Sequence, residues 1–237
     1  MSSTTVLLLA WAGLLLSAWP LDRVVENLVP RLPPKSLLRA IDTAVHGFIG
    51  GFSYWMACII CPQLVLNISS WLSQLGFGLA NNKNRASQEI LWLDVFYSFC
   101  VAFVISCSID LDHIIKDLFL VITGQSPAQW ERGWLHFSLP PLVLSCTLYL
   151  SALLFHSLWC IPCATLCILS IISHHIRDGV HHGLQFYPLG NTPKIPYWLY
   201  IVLTLVLPVI TSKFSSSIIL QVKSAVALPV RNSLEIV

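Results

Sequence analysis

The sequence predicts an all-α polytopic membrane protein, a single domain over residues 1–237 with about six transmembrane helices. Three observations carry that expectation. Apolar residues make up 56% of the chain and charged residues only 10%, with a mean hydropathy of +0.75, whereas a soluble domain carries about 25% charge. The few charges sit in short clusters between long apolar runs, so bilayer rather than water is the matching solvent. Those runs lack the in-out alternation of barrel strands, and helices are the remaining way to satisfy a backbone in lipid.

The first run, Thr4–Leu21, is uncharged and is expected to span, because Met1–Thr5 has no basic residue and Trp19-Pro20 suits signal cleavage poorly. A connector from Asp22 to Asp42 is broken by Pro30, Pro33 and Pro34. The second span covers about 44–68, with Gly47, Gly50 and Gly51 at the spacing that brings helices close. Residues 90–109 form the third, and Asp94 near its start reads as an interfacial charge. After the loop to His136, residues 137–155 and 158–173 read as two short helices, either full spans or a re-entrant hairpin, with Pro140 in the first turn. Residues 196–211 make the last span, with Tyr197, Trp198 and Tyr200 as an aromatic belt, and the tail beyond is expected to be weakly structured.

Net charge of +2 and the absence of basic runs interleaved with aromatics argue against nucleic acid, and membrane lipid is the expected partner. Cys58/Cys61 and Cys160/Cys163 have CxxC spacing but lie inside apolar runs, where cysteine acts as a small packing residue.

Unusual polar groups stand where the apolar runs begin and end. His46 opens the second span, Asp110, Asp112 and His113 close the third, His136 opens the fourth, and His174, His175, Arg177 and Asp178 close the fifth. Helices two and four start on the face where three and five end, so all four groups fall on one side whether residues 137–173 cross twice or dip. That side carries Arg23, Arg31, Lys35, Arg39, Lys116, Arg132, Arg177 and Lys194, against Lys83, Arg85, Lys213, Lys223 and Arg231 opposite. The excess favours a cytoplasmic motif face, and the sequon at Asn67 lies on the other side.

Asp and His supply the oxygen and nitrogen ligands of zinc, manganese, iron or magnesium. Asp110 and His113 are three apart, and His174 and Asp178 four apart, so each pair shares a helix face. The expected metal ligands are therefore Asp110, Asp112, His113, His136, His174 and Asp178, with His46 or His175 as general base and Arg132 or Arg177 binding a substrate anion. His156 reads as structural, and His181 and His182 as solvated.

Three segments, Asp42-Thr-Ala-Val-His46-Gly, Ser108-Ile-Asp-Leu-Asp-His113 and Ser173-His-His-Ile-Arg-Asp-Gly-Val-His-His-Gly-Leu184, resemble the transmembrane protein 267 family, as do Pro188-Leu-Gly-Asn-Thr and Pro196-Tyr-Trp-Leu-Tyr200. The resemblance implies a multi-pass membrane protein. More distantly, Asp110, Asp112 and His113, then Arg132, Gly133 and His136, and then Asp178 are similar to the motifs of bacterial inner-membrane metal-dependent hydrolases. Ile109 stands where those have Pro, Glu131 where they have His, and Phe137 precedes Ser138 as an insertion. That likeness implies a hydrolase acting on a lipid or lipid-linked substrate at the cytoplasmic interface. The competing expectation is a non-catalytic scaffold or pseudoenzyme whose polar cluster stitches helix ends together. A metal or proton carrier ranks behind both, because the predicted helix interiors hold few ionisable residues.

Overall fold

A computed structural model describes residues 3–21, 35–66, 87–111 and 134–234, together with 23, 115, 122 and 123. Long apolar runs become helices, and the six main ones follow in chain order. α1 is Ser3–Leu16, continued by a π turn over Ser17–Leu21. α2 is Lys35–Ile60 and α3 is Ser87–Ser108. A 3-10 turn, Trp134–His136, leads into α4, Leu139–Leu154, where prolines occupy the first turn. α5 runs from Cys160 to His182 through a π turn at Ile168–Ile172, and α6 is Tyr197–Leu234. Each of the six predicted segments overlaps one of these helices.

Among the described residues, three stretches are long and apolar enough to cross a bilayer: Ala40–Ile60, Cys160–His182 and Tyr197–Val226. Leu7–Pro20, Leu93–Ser108 and Leu139–Leu154 are apolar but shorter. The protein is thus an α-helical membrane protein with, among the described residues, three helices of full spanning length and three shorter apolar ones.

Several boundaries differ from the sequence expectation for physical reasons. α2 begins at Lys35, so Asp42 and Thr43 lie on a helix rather than in a connector. α5 does not stop at Ser173: it carries on through His-His-Ile-Arg-Asp to His182, because the polar side chains of 174–177 turn inward, where Arg177 pairs with Asp42. α6 runs 38 residues, far past Thr211. Its Ser212 donates to the Val209 carbonyl, and Ser215 joins Tyr149 and Thr165 in a closed triangle of hydroxyls at 2.8–2.9 Å, so polar residues that read as a terminus are buried and paired. Asp94 is buried rather than interfacial. Of the expected aromatic belt only Trp198 faces outward, since Tyr200 is in the core and Tyr197 donates to the Ala18 carbonyl.

The core has two parts. One joins the C-terminal end of α2 (Tyr54, Ala57, Cys58) to Ala102, Tyr149, Ile161, Ala164 and the Ile218–Val222 end of α6. The other joins α1, the earlier half of α2 (Val45, Ile49), Ile176 of α5 and Tyr200 of α6. α2 and α5 therefore run antiparallel, and the start of α2 meets the end of α5. All eight cysteines are free, with Cys58 and Cys61 serving as packing.

The close contact of α2 with α3 depends on glycine. A Cβ at Gly47 would meet Cys107 Sγ at 2.5 Å, one at Gly50 would meet Ser106 Cβ at 2.7 Å, and one at Gly51 would meet the Phe99 ring at 2.7 Å. Because Ser106 Oγ donates to the His46 carbonyl at 2.9 Å, that contact also sets where His46 stands. Gly50→Val should lower the thermal unfolding midpoint in detergent by an amount corresponding to about 1–3 kcal/mol of overpacking. Leu150→Val, on the outward face of α4, should leave it nearly unchanged; equal midpoints for the two variants would refute the packing argument.

Candidate metal centre

Four elements deliver polar side chains to one point. His46 comes from α2, Asp110 from just past the end of α3, His136 from the turn before α4, and His174 and Asp178 from successive turns of α5. The three imidazoles are buried, at 1%, 4% and 0% exposure for His46, His136 and His174.

The separations form a closed ring of four atoms. Asp110 Oδ1 lies 3.6 Å from His136 Nε2 and 3.5 Å from His174 Nε2. Asp178 Oδ2 lies 3.5 Å from the same His136 nitrogen and 3.8 Å from the same His174 nitrogen. Charge-assisted hydrogen bonds would draw such pairs to about 2.7–2.9 Å. Ligands on one ion keep further apart: bonds of 2.0–2.1 Å in a tetrahedron give edges of about 3.3–3.4 Å. The observed sides are close to the second spacing, and the donor atoms of Asp110, His136 and His174 all lie within 4.8 Å of one another, so these three fit a divalent cation.

The outer atoms of the ring are held by a further set of contacts, as at metal centres generally. His174 Nδ1 lies 3.0 Å from the Ser106 carbonyl, to which it must donate, and this leaves Nε2 as a bare lone pair aimed into the ring with no hydrogen-bond partner. Thr43 donates to Asp110 Oδ2 at 2.7 Å. His46 Nε2 is 3.3 Å from Asp178 Oδ1, and the His46 ring stacks on His174 with centroids 3.7 Å apart.

Asp110 lies beyond the end of α3 and is largely buried. Burial by itself would raise its carboxyl, but the His136, His174 and His46 imidazoles and the Thr43 hydroxyl outweigh burial and hold it well below the usual carboxylate range. It is therefore an anion at neutral pH.

Arg177 is buried and already engaged. Its Nη2 donates to Asp42 Oδ1 at 2.6 Å and its Nη1 to His46 Nε2 at 2.6 Å. A guanidinium has no lone pair to offer, so His46 Nε2 must be the acceptor, and that nitrogen is spent on Arg177. His46, His174 and Asp178 form one compact triad and Asp110, His136 and His174 another; because His46 Nε2 is spent on Arg177, the second triad, with Asp178 at its edge, is the better donor set.

Other predicted residues fall elsewhere. His175 Nε2 lies 3.0 Å from the Leu135 carbonyl and its ring stacks on His136 with centroids 6.5 Å apart, so it braces the turn carrying His136. Arg177 is a clamp between α2 and α5 instead of a free anion site. Asp112, His113 and Arg132 lie outside the described residues, as does Asn67. His156 and the pair His181 and His182 are exposed. Asp42, Thr43 and Ser106 were missed by sequence reasoning. Asp42 was four residues from His46 and legible once α2 was extended, whereas the Ser106 carbonyl left no sequence signal.

The bundle and its buried His/Asp ring define an α-helical integral membrane protein with a candidate metal centre near its helix ends. By sequence it belongs to the transmembrane protein 267 family. It is 30% identical to Transmembrane protein 267 of Bos taurus over 215 residues, 89% of this chain and 84% of the relative. Identity is 39% over 115 residues to the Danio rerio protein of that name, and 37% over 107 to the Xenopus laevis one. Those two alignments span about half the relatives' length, 51% and 48%. No family model and no solved structure matches the chain.

Thr43→Val removes a hydrogen bond to an ionised carboxylate and should lower stability by about 1.5–3 kcal/mol, while Thr43→Ser should restore most of the loss. With the Asp110 carboxyl depressed in the fold, its contribution is complete above the unfolded carboxylate pKa near 4 and is lost as pH falls through the folded value. Unfolding measured between pH 6 and 8 should therefore show the whole effect; no difference between Thr43→Val and wild type there would remove Thr43 from the centre.

Proposed function

We propose that this chain is a metal-dependent hydrolase acting on a lipid or lipid-linked phosphate or acyl substrate where its helix ends meet the cytoplasmic interface. The observation carrying this reading is the cluster of carboxylates and imidazoles, in which the donor atoms of Asp110, His136 and His174 all lie within 4.8 Å of one another and Asp178 stands 3.5 Å from His136. A divalent cation bound there would supply Lewis acidity toward a phosphoryl or acyl oxygen.

The chain's own residues do the rest. Ser106 fixes the His174 tautomer, Thr43 orients Asp110, and His46 stands against the second oxygen of Asp178. Arg177 ties His46 to Asp42 and occupies His46 Nε2, so that nitrogen is open to accept a proton only when Arg177 moves off it. The similarity of Asp110, Asp112, His113, Arg132 and His136 to bacterial membrane hydrolases supports the reaction class. The Lys and Arg excess supports the orientation, and the positions of the three shorter helices support six crossings.

The Arg177 clamp favours a second reading, a structural scaffold, because Asp42, His46 and Arg177 join α2 to α5 without any ligand. Metal analysis separates the two. Wild-type protein purified without chelator should carry about one zinc, manganese, iron or magnesium per chain. His174→Ala and Asp178→Ala should lose it while remaining folded, and His181→Ala should keep it. Loaded wild type should hydrolyse a member of a panel of lipid phosphate mono- and diesters and acyl esters that the two variants leave intact. Metal-free wild type would overturn the reading in favour of the scaffold, and a loaded but inert protein would confine the ion to a structural role.

A further inference from the structure

The segment between α5 and α6 is a tightly bonded excursion. Gly183 N and Ile195 N both donate to the carbonyl of Gly179, at 3.0 and 2.8 Å, closing the segment at its base. Thr192 N donates to the Leu184 carbonyl at 2.9 Å, Leu184 N to Thr192 Oγ1 at 2.8 Å, and Phe186 N to the Gly190 carbonyl at 2.8 Å. Gly183 sits at φ 79° with the Thr192 carbonyl in the space a side chain would need, so only glycine closes the base in this way.

The excursion touches both ligand-bearing segments. Its base hangs from Gly179, the residue after Asp178. Its side is tied to the segment after His136, where Ser138 N donates to the Gln185 carbonyl at 2.8 Å and the Phe137 ring stacks on Tyr187 with centroids 5.3 Å apart. Its tip is apolar and turned outward: Tyr187 is 66% and Leu189 80% exposed, with Pro188 between them also exposed. A turn made for water would carry polar residues there. Both ends of the excursion continue directly into stretches of spanning length, Cys160–His182 and Tyr197–Val226, which places it at the bilayer surface.

We propose that Tyr187, Pro188 and Leu189 form a membrane-docking lip that inserts into the interfacial layer of a phospholipid bilayer and fixes the Asp178 and His136 segments at headgroup level. The occupant of this surface is lipid, because the tip is continuous with the ends of two stretches of spanning length and Trp198, 67% exposed as the second residue of α6, lies on the same rim. The inference stands whether or not the centre is catalytic.

The test is depth measurement by spin label. Leu189→Cys and, separately, His182→Cys are placed in a chain with the exposed Cys146 and Cys163 replaced by Ala, labelled with a nitroxide in phosphatidylcholine/phosphatidylserine nanodiscs, and corrected for a background lacking the new cysteine. The label at 189 should collide several-fold more with dissolved oxygen than with a water-soluble nickel chelate, and the label at 182 should show the reverse. Tyr187→Cys should repeat the 189 result and serves if that variant fails to fold. Nickel access at 189 equal to that at 182 would put the tip in water, and protection from both reagents would put it against protein; either overturns the lip.

Discussion

Burying the carboxylates of Asp110 and Asp178 among His46, His136 and His174 is the constraint the rest of the bundle has to meet. An unpaired buried charge is expensive in any fold and more so near lipid. Asp42 is matched by Arg177, which leaves two negative charges facing three imidazoles among the described residues. Protons or a cation between them would neutralise these charges. His46 stacks on His174 at 3.7 Å, and the His174 Nδ1 bond to the Ser106 carbonyl leaves Nε2 facing the carboxylates. Both contacts suit the cation proposed above.

Other features of the fold follow from holding that ring together. The glycines at 47, 50 and 51 let α3 approach α2 closely enough for Ser106 to reach both the His46 carbonyl and the His174 ring. The π turn at Ile168–Ile172 immediately precedes His174, and an extra residue in one turn rotates everything after it, which is how a helix that packs on α4 through its first half can present His174 and Asp178 to α2 and α3 through its second.

Membrane class and helix positions were legible because apolar run length is a direct readout of bilayer solvation. The convergence of His46, Asp110, His136, His174 and Asp178 was legible too, from the parity of helix ends. What failed has one cause. Reading polarity as the end of a helix put the start of α2 after Thr43 and the end of α5 at Ser173, and it released α6 at Thr211. In each case the polar residues were inside, paired with Asp110, with the His/Asp ring, or with Tyr149 and Thr165. Partner choice was equally unreadable: nothing in the sequence says that Arg177 takes Asp42 and His46, or that His175 takes the Leu135 carbonyl.

Extending α5 through the motif changes the chemistry available. A ligand pair past the end of a helix would sit on a flexible loop and depend on the metal to order it. On a continuous helix, His174 and Asp178 are fixed one turn apart before any ion arrives, and rigid elements hold a coordination geometry more closely than loops do. The same helix ends at Gly183, whose neighbour in space, the Gly179 carbonyl, anchors the 183–195 excursion to the residue following Asp178. The proposed ion-facing residue and the base of the excursion are thus neighbours on the last turns of one helix, and a displacement of the excursion reaches Asp178 through the Gly179 carbonyl that both Gly183 and Ile195 hold.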